Sequence, residues 1–281
     1  MISQFLNRKN DKIVFFVRGY QRSGTNWVSN LLNLHKDINC TGEFHLKHFY
    51  NAYNNTLKRK HGLLKQDQRT FTKLFNEFIK NVIITFNEEN KLLLGDRTPM
   101  ALDELILPNA KYILIQRDGR DVLVSWIYHL FRINHSFGDE MDIKKELFNV
   151  DNKYFENNKK ELISNKWVHK ISKGWNNRIL SDYKTMANRD INVYSVKYEE
   201  LLKETNLIRK KMYQFLELNP AKANKLTNLT KPGFLENDLQ SHYRKGEAGR
   251  WREYLTDQQL ILFEKNAQEA LTLLSYDLYS K

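Results

Sequence analysis

One stretch decides the fold: Ile13-Val14-Phe15-Phe16-Val17-Arg18-Gly19-Tyr20-Gln21-Arg22-Ser23-Gly24-Thr25-Asn26-Trp27. The apolar run 13–17 predicts a buried β-strand, and apolar residues at positions 27, 28, 31 and 32 recur at helical spacing. A loop bounded by two glycines joins the strand to the helix. Such a loop points N–H groups inward, and the positive end of the helix dipole favours a phosphate or a sulfate. The sequence therefore predicts an anion-binding loop at positions 19–27.

This loop has the spacing of half a Walker A motif, Gly19-x-x-x-x-Gly24, but it lacks the other half. A Walker loop continues with Lys and then Ser or Thr, which serve the β/γ-phosphates and Mg²⁺. Thr25 and Asn26 stand there instead, and the cation, Arg22, lies inside the loop. We therefore expect a compact anion held by backbone, hydroxyl and guanidinium groups, with no obligatory metal. The alternative is an ordinary strand-to-helix turn whose glycines supply a positive φ.

A second strand-to-helix junction carries another cation. The apolar run 111–116 predicts a strand, and Arg117 follows at its carboxyl end, where ligands of open α/β sheets bind. Asp118 and Asp121 fit the N-cap and N3 positions of a capping-box-like pair at the start of the next helix. Ser125 lies two turns along that helix. Arg117 and Ser125 are therefore predicted to hold an anion together.

A third loop, before the last helix, contains Arg244, Lys245 and Gly246. Two adjacent cations beside a glycine suit a second phosphate. Taken alone, this loop has a simpler interpretation as a solvated basic segment. Its place in the chain, after the two junctions described above, favours the phosphate.

In this order, the three motifs resemble those of sulfotransferases that use 3′-phosphoadenosine 5′-phosphosulfate (PAPS). Residues 21–27 resemble the family's 5′-phosphosulfate loop, usually Pro-Lys-Ser-Gly-Thr-Thr-Trp, residues 117–125 its 3′-phosphate motif, and residues 244–251 its Arg-Lys-Gly-x-x-Gly-x-Trp loop. The resemblance implies PAPS as co-substrate and adenosine 3′,5′-bisphosphate (PAP) as product. The residues that it implies for cofactor binding are Arg22, Ser23, Gly24, Thr25, Asn26, Trp27, Arg97, Arg117, Ser125, Tyr198, Arg244, Lys245 and Gly246.

The departures from the family pattern bear on the acceptor. Small-molecule cytosolic members carry a Lys-Thr-His-Leu-Pro segment whose His is the base, whereas residues 95–99 here are Gly-Asp-Arg-Thr-Pro. With Arg97 as its cation, this segment is more similar to the Lys-Ser/Thr-Pro version of carbohydrate sulfotransferases. Those relatives and protein-tyrosine members keep a catalytic Glu where Glu43 stands. We predict Glu43 as the base; His45, on the same side of a strand, is the second candidate, and Asp96 is the third.

Alternating strands and helices predict an α/β fold, with residues 1–281 as one domain and a mainly parallel, doubly wound sheet flanked by helices, as in P-loop NTPases. Residues 45–69 and 133–156 fall outside this minimal core. They are predicted either to close over the acceptor as lids or to be plain surface insertions. The predicted strands are 12–18, 37–41, 91–95, 111–116 and 191–196, and the predicted helices are 24–35, 68–82, 119–131, 160–188, 198–217 and 256–275.

Composition limits the class of protein. A net charge of +12, from 45 basic and 33 acidic residues, fits an anionic cofactor, and also nucleic acid or an anionic membrane surface. The cations of interest lie in loops and not in a stripe, which ranks a sulfotransferase above a non-catalytic nucleic-acid-binding protein. A P-loop kinase or NTPase is the other alternative, but the Walker lysine is missing.

Cys40 is the single cysteine, so an internal disulfide is excluded. Without a signal peptide or long apolar span, we expect a cytoplasmic enzyme with a small-molecule or carbohydrate hydroxyl acceptor.

Overall fold

The computed structural model describes residues 12–58, 64–87, 90–133, 135–232 and 246–279. Within these ranges one sheet has the strand order β2-β3-β1-β4-β5. β1 pairs in parallel with β3 and β4, and β2 pairs in parallel with β3. The predicted α/β class is confirmed, and every predicted strand lies within two residues of the observed one. The strands are β1 (Ile13–Gly19), β2 (Ile38–Gly42), β3 (Leu93–Asp96), β4 (Lys111–Gln116) and β5 (Asn192–Lys197).

The helices of the described residues follow the predicted pattern, with additions in both insertions. They are α1 (Thr25–Leu32), α2 (Leu46–Leu57), α3 (Lys65–Phe86), α4 (Gly119–Arg132), α5 (Glu140–Val150), α6 (Tyr154–Asn157), α7 (Asn165–Asn188), α8 (Tyr198–Lys203), α9 (Thr205–Phe215), α10 (Trp251–Tyr254) and α11 (Asp257–Leu273). Short 3₁₀ turns lie at Lys159–Glu161, Pro220–Lys222 and Asn228–Thr230. None of these helices combines the length and the apolar character that a membrane crossing requires.

The described residues form two compact units. The first, within residues 1–19, 24–115 and 185–230, contains all five strands except Gln116, the last residue of β4. Side chains of β1 alternate between its two faces, since Phe15 and Val17 pack into one apolar core and Val14 and Phe16 into the other. Helices α1, α8 and α9 contribute to the first core, and α2 and α3 to the second. The sheet is thus covered on both faces, as its apolar strands predict.

The second unit, within residues 20–23, 116–184 and 231–281, is mainly helical. Its core contains apolar side chains of α4, α5, α6, α7, α10 and α11, with Trp175 and Phe263 fully buried. The α11 N-terminus has the predicted capping box, since the Gln259 backbone N–H donates to the Thr256 Oγ and the Thr256 backbone N–H donates to the Gln259 side chain. The assignment of residues 1–281 to one domain stays a prediction.

Several predicted boundaries differ from the structure. The helix predicted at 198–217 is two helices, α8 and α9, interrupted at Glu204, whose φ of −126° and ψ of 44° are not helical. The insertion at 45–69 contains α2 and the start of α3, and residues 59–63 lie outside the described residues. The insertion at 133–156 contains α5 and most of α6. Apolar faces that pack on the core explain these helices; whether they close over an acceptor stays a prediction.

Candidate functional site

The loop after β1 is bounded by two glycines whose positions a side chain would disturb. A Cβ atom on Gly19 would lie 2.6 Å from the Ile115 carbonyl oxygen. Gly24 has a φ of 105°, in the left-handed region, and a Cβ atom there would lie 2.8 Å from the Tyr198 ring. Close packing requires a glycine at position 19, and close packing together with a positive φ requires one at position 24. These two requirements account for the Gly-x-x-x-x-Gly spacing.

The start of α1 suits a bound anion. Gly24 is its N-cap residue, no described side chain caps it, and its first turn carries no acidic side chain. The first N–H groups of a helix lack intrahelical acceptors, and the helix dipole makes this end positive. The predicted residues Thr25 and Asn26 form this first turn, so they offer N–H groups in the orientation that an anion requires.

Ser23 supplies a buried hydroxyl to the same loop. The residue is 1% exposed, and its Oγ has no hydrogen-bond partner among the described residues. Buried hydroxyl groups are nearly always paired, so the Ser23 hydroxyl has the character of a ligand donor. The neighbouring Arg22 has a φ of 69°, and its Nε donates to the Ser125 Oγ at 3.3 Å. Two predicted residues from different motifs, Arg22 and Ser125, are thus in contact.

Arg117 connects two of the predicted loops. Its Nη1 donates to the Arg22 carbonyl oxygen at 3.3 Å, and its Nη2 donates to the Glu247 carbonyl oxygen at 2.9 Å. A guanidinium presents its donors in a fixed fork, which suits simultaneous contact with two separate groups. The strand end after β4 therefore carries a cation that fixes the backbone of both loops.

Asp118 and Asp121 occupy the predicted N-cap and N3 positions of α4, but the partners of the Asp121 carboxylate lie far away in the chain. Asp118 is the N-cap and accepts from the Arg120 backbone N–H at 2.9 Å. Asp121 instead accepts from the backbone N–H groups of Gly249 and Trp251, at 2.6 and 3.1 Å. The distant loop offers a donor to each carboxylate oxygen, whereas a local cap offers one. Spacing within the helix could not reveal a partner so far away in the chain.

The described part of the third motif begins at Gly246. This residue has a φ of 66°, and a Cβ atom on it would lie 2.6 Å from the Pro232 carbonyl oxygen. Positive φ and close packing require a glycine here, as the motif predicts. Arg244 and Lys245 lie outside the described residues, so their contact with a phosphate stays a prediction.

Arg97 is the centre of a polar cluster beyond the ends of β2 and β3. Its Nε and Nη2 each donate to the Thr41 carbonyl oxygen at 3.3 Å, and its Nη1 donates to the Asn26 Oδ1. The same Nη1 lies 3.5 Å from Oε1 of Glu43, whose side chain is 37% exposed. The structure therefore brings three predicted residues, Asn26, Glu43 and Arg97, together, and the carboxylate among them is exposed to solvent.

Asp96, the third candidate base, is fully buried, and its carboxylate is surrounded by hydrogen-bond donors of the protein. Its carboxylate accepts from Arg18 Nη1 at 2.6 Å, from the backbone N–H and Oγ1 of Thr98 at 3.2 and 2.8 Å, and from the Phe44 backbone N–H at 3.3 Å. Four donors engage both carboxylate oxygens, which favours a role in holding the loop after β3. Our sequence interpretation missed Arg18, although a charged residue inside an apolar strand signals a buried ion pair.

His45 does not lie on a strand. β2 ends at Gly42, and His45 is the N-cap residue of α2, with a φ of 50° and an exposed side chain. The prediction that Glu43 and His45 share a strand face is therefore wrong. The chain turns after the glycine, so alternation along a strand no longer relates the two side chains.

Trp27 and Tyr198, two of the residues that the resemblance assigns to the cofactor, pack against each other. Their ring centroids are 5.3 Å apart with an interplanar angle of 64°, and the residues are 4% and 3% exposed. The Trp27 Nε1 donates to the Thr230 carbonyl oxygen at 2.8 Å. Both rings thus contribute to the core. Their contact with the cofactor stays a prediction.

Comparison with known proteins identifies the family. The sequence matches the family model of the sulfotransferase domain over residues 12–275. The fold is similar to that of a mouse sulfotransferase complexed with PAP, with a TM-score of 0.54 and 18% identity over 96% of this chain and 91% of that one. It is also similar to retinol dehydratase in complex with androsterone and the inactive cofactor PAP, with a TM-score of 0.53 and 19% identity over 97% of this chain and 84% of that one. No curated protein sequence matches the chain. The family model spans nearly all of the sequence and includes every motif from which the resemblance was inferred, and the chain therefore belongs to the sulfotransferase domain family.

Proposed function

We propose that this protein transfers a sulfuryl group from PAPS to a hydroxyl group of a carbohydrate or natural-product alcohol. The observation that carries the proposal is the buried Ser23 hydroxyl, which lacks a partner among the described residues in a loop that ends at an uncapped helix N-terminus. Such a set of donors fits a compact anion such as a phosphosulfate. The solved structures of two similar folds contain PAP, which PAPS becomes after transfer.

In this proposal, Arg22, the Ser23 hydroxyl and the first N–H groups of α1 hold the 5′-phosphosulfate. PAPS supplies the sulfuryl group and a 5′-phosphate as leaving group. Negative charge grows on that phosphate during transfer, and donors already fixed toward it lower the barrier. Arg22 acts electrostatically, because a guanidinium does not give up its proton at ordinary pH. We expect Arg22→Ala to lower kcat by about 10²–10³-fold.

The 3′-phosphate is assigned to Arg117 and Ser125, with Gly246 and the two cations before it. Arg22 Nε donates to Ser125 Oγ, and Arg117 binds the backbone of two loops, so these donors are already ordered. Ordered donors lose less entropy on binding than mobile ones. The 3′-phosphate distinguishes PAPS from ATP, so this set of residues determines which nucleotide binds.

Glu43 is proposed to accept the proton of the acceptor hydroxyl as that oxygen forms its bond to sulfur. Two features support Glu43: its exposed carboxylate and its position 3.5 Å from the Arg97 guanidinium. His45 is also exposed and stays the second candidate. Asp96 is the weakest candidate, since its carboxylate is buried and bonded to four donors.

Binding of PAP tests the proposal directly. A ligand at 100 times its Kd stabilises the folded state by about 2.7 kcal/mol. For a chain of this size the midpoint of thermal unfolding should then rise by roughly 5–10 °C. We expect this rise with PAP in the absence of metal, and a smaller one with AMP. A rise seen only with ATP and Mg²⁺ would overturn the proposal and favour a kinase-like function.

A pair of matched variants tests the base. Glu43→Gln should lower kcat by about 10²–10⁴-fold in a PAPS-consuming assay with carbohydrate and natural-product alcohols, and leave the Kd for PAP unchanged. Glu217→Gln is the control, because that carboxylate is also paired with a cation, Lys111, and its side chain is 81% exposed. Retention of activity in Glu43→Gln together with its loss in His45→Gln would transfer the role to His45.

A further inference from the structure

The Asp121 carboxylate connects the start of α4 to the loop that precedes α10. The residue is 3% exposed, and its two oxygens accept from the backbone N–H groups of Gly249 and Trp251 at 2.6 and 3.1 Å. Both bonds involve an ionised acceptor and therefore belong to the stronger class of hydrogen bond. The Asp121 side chain thus binds the backbone of this loop at two positions, independently of the side chains that the loop carries.

The same loop is held at three further points in this unit. Arg117 Nη2 donates to the Glu247 carbonyl oxygen at 2.9 Å, and Arg250 Nη2 donates to Glu156 Oε2 at 3.3 Å. The Arg120 guanidinium stacks on the Trp251 ring, with its Cζ atom 4.0 Å from the centroid of that ring. Together with Asp121, these contacts give residues 246–251 one defined backbone conformation.

Gly246 and Gly249 need this restraint. Their φ angles are 66° and 80°, so two of the four residues 246–249 have a left-handed backbone conformation. Glycine adopts such angles without steric cost, but it also loses more conformational entropy than any other residue when it is ordered. Fixed acceptors for the loop N–H groups compensate for this loss, and Asp121 provides two of them.

We propose that Asp121 is a positioning residue that holds residues 246–251 in the conformation that recognises the 3′-phosphate. This inference rests on the proposed function, since it assumes that the third motif binds that phosphate. Asp121 does not touch the ligand in this assignment; it acts through the Gly249 and Trp251 N–H groups. Loss of its carboxylate should therefore weaken ligands that carry a 3′-phosphate and leave other nucleotides nearly unaffected.

The environment of Asp121 supports a functional reason for the carboxylate. Burial raises the pKa of Asp121 to about 6, an effect to which the neighbouring Asp118 adds, whereas the Arg117 guanidinium and the two N–H groups oppose it. A neutral side chain at this position would avoid the cost of burying a charge. The charged group that occupies it accepts two hydrogen bonds, from the backbone N–H groups of Gly249 and Trp251.

The test compares two nucleotides that differ in the 3′-phosphate. Isothermal titration should show that Asp121→Asn raises the Kd for PAP by about 10- to 100-fold, the effect of losing one or two hydrogen bonds to a charged group. The Kd for AMP should change by less than about 3-fold. Asp182→Asn is the matched control, because Asp182 is a 1% exposed carboxylate of the same unit that pairs with Arg178 on its own helix, α7. It should leave the ratio of the two Kd values unchanged.

A second variant covers the case in which Asp121→Asn does not fold. Gly249→Ala strains the same loop through its φ of 80° without altering the carboxylate, and it should also weaken PAP more than AMP. Equal changes for PAP and AMP in either variant, or no change in both, would refute the positioning role. A wild-type protein that binds PAP no more tightly than AMP would instead refute the proposed function.

Discussion

Replacing one member of the buried Arg18–Asp96 pair should destabilise the protein much more than replacing both. Arg18 Nη1 lies 2.6 Å from Asp96 Oδ2, and both side chains are 0% exposed. The Arg18 Nε and Nη2 have no partners among the described residues, and its guanidinium lies 4.3 Å from the Phe16 ring centroid. Either single replacement leaves a buried charge without its counter-ion.

The expected magnitude follows from this geometry. Breaking a buried pair from one side costs roughly 3–5 kcal/mol, because the remaining charge stays desolvated. Arg18→Met and Asp96→Asn should each lower the midpoint of thermal unfolding by roughly 6–20 °C. In the double variant no charge remains, Met packs beside Phe16, and Asn keeps an acceptor for the Phe44 N–H and the Thr98 hydroxyl. We expect a coupling energy of at least about 2 kcal/mol.

Urea and thermal unfolding of the four proteins in this cycle would measure that coupling. Glu217→Gln is the control, since the Glu217 side chain is exposed and its pair with Lys111 should contribute little to stability. Strictly additive losses from the two single variants would refute the reasoning, because they would show that the two charges do not depend on each other. A loss below about 1 kcal/mol for Asp96→Asn would refute it equally.

Four further outcomes are expected. The pKa of Asp121 rises from 3.8 to about 6 on folding. Ionisation of this carboxyl therefore lowers the free energy of unfolding as pH rises through this window, by roughly 3 kcal/mol in total. Urea unfolding at pH 4 and pH 7 should show this decrease in wild type and not in Asp121→Asn. Burial raises the pKa of the Cys40 thiol far above its usual range, so a thiol reagent should label it only in denaturant. Gly24→Ala, which combines a φ of 105° with contact to the Tyr198 ring, should abolish the thermal shift with PAP. Thr256→Ala should lower the free energy of unfolding by about 1 kcal/mol, measured in urea, through loss of the capping box.

Much of the fold could be predicted because local patterns and tertiary packing agree. The strands are continuous apolar runs since the sheet is buried on both faces, and helices such as α11 begin with recognisable caps. The pattern gave no break between α8 and α9, because the residues around Glu204 are compatible with a helix and tertiary packing interrupts it. The helices in the two insertions were not predicted, although Leu46, Phe49, Tyr50 and Tyr53 of α2 recur at helical spacing.

The candidate site was less predictable than the fold, for a physical reason. Residues within one motif, such as Gly24 and Ser23, could be predicted because adjacent residues create the loop geometry. Contacts between motifs could not: Arg22 with Ser125, and Asp121 with Gly249, join residues that are more than 100 positions apart. Sequence spacing carries no information on such pairs, so the local cap predicted for Asp121 was the only partner that the pattern offered.

Arg18–Asp96 and Asp121 illustrate how this protein orders loops with charges that do not contact a ligand in our proposal. Asp96 holds the Phe44 N–H, which adjoins the proposed base Glu43, and Asp121 holds the N–H groups that follow Gly246. A buried carboxylate costs free energy relative to a neutral residue, yet it accepts several N–H groups more strongly than a neutral acceptor does. If these charges served stability alone, apolar replacements of the same size would serve better. Their burial is explained if each charge fixes a loop whose backbone conformation determines binding or catalysis. Replacing them should therefore change the affinity for the ligand and the free energy of unfolding to different extents.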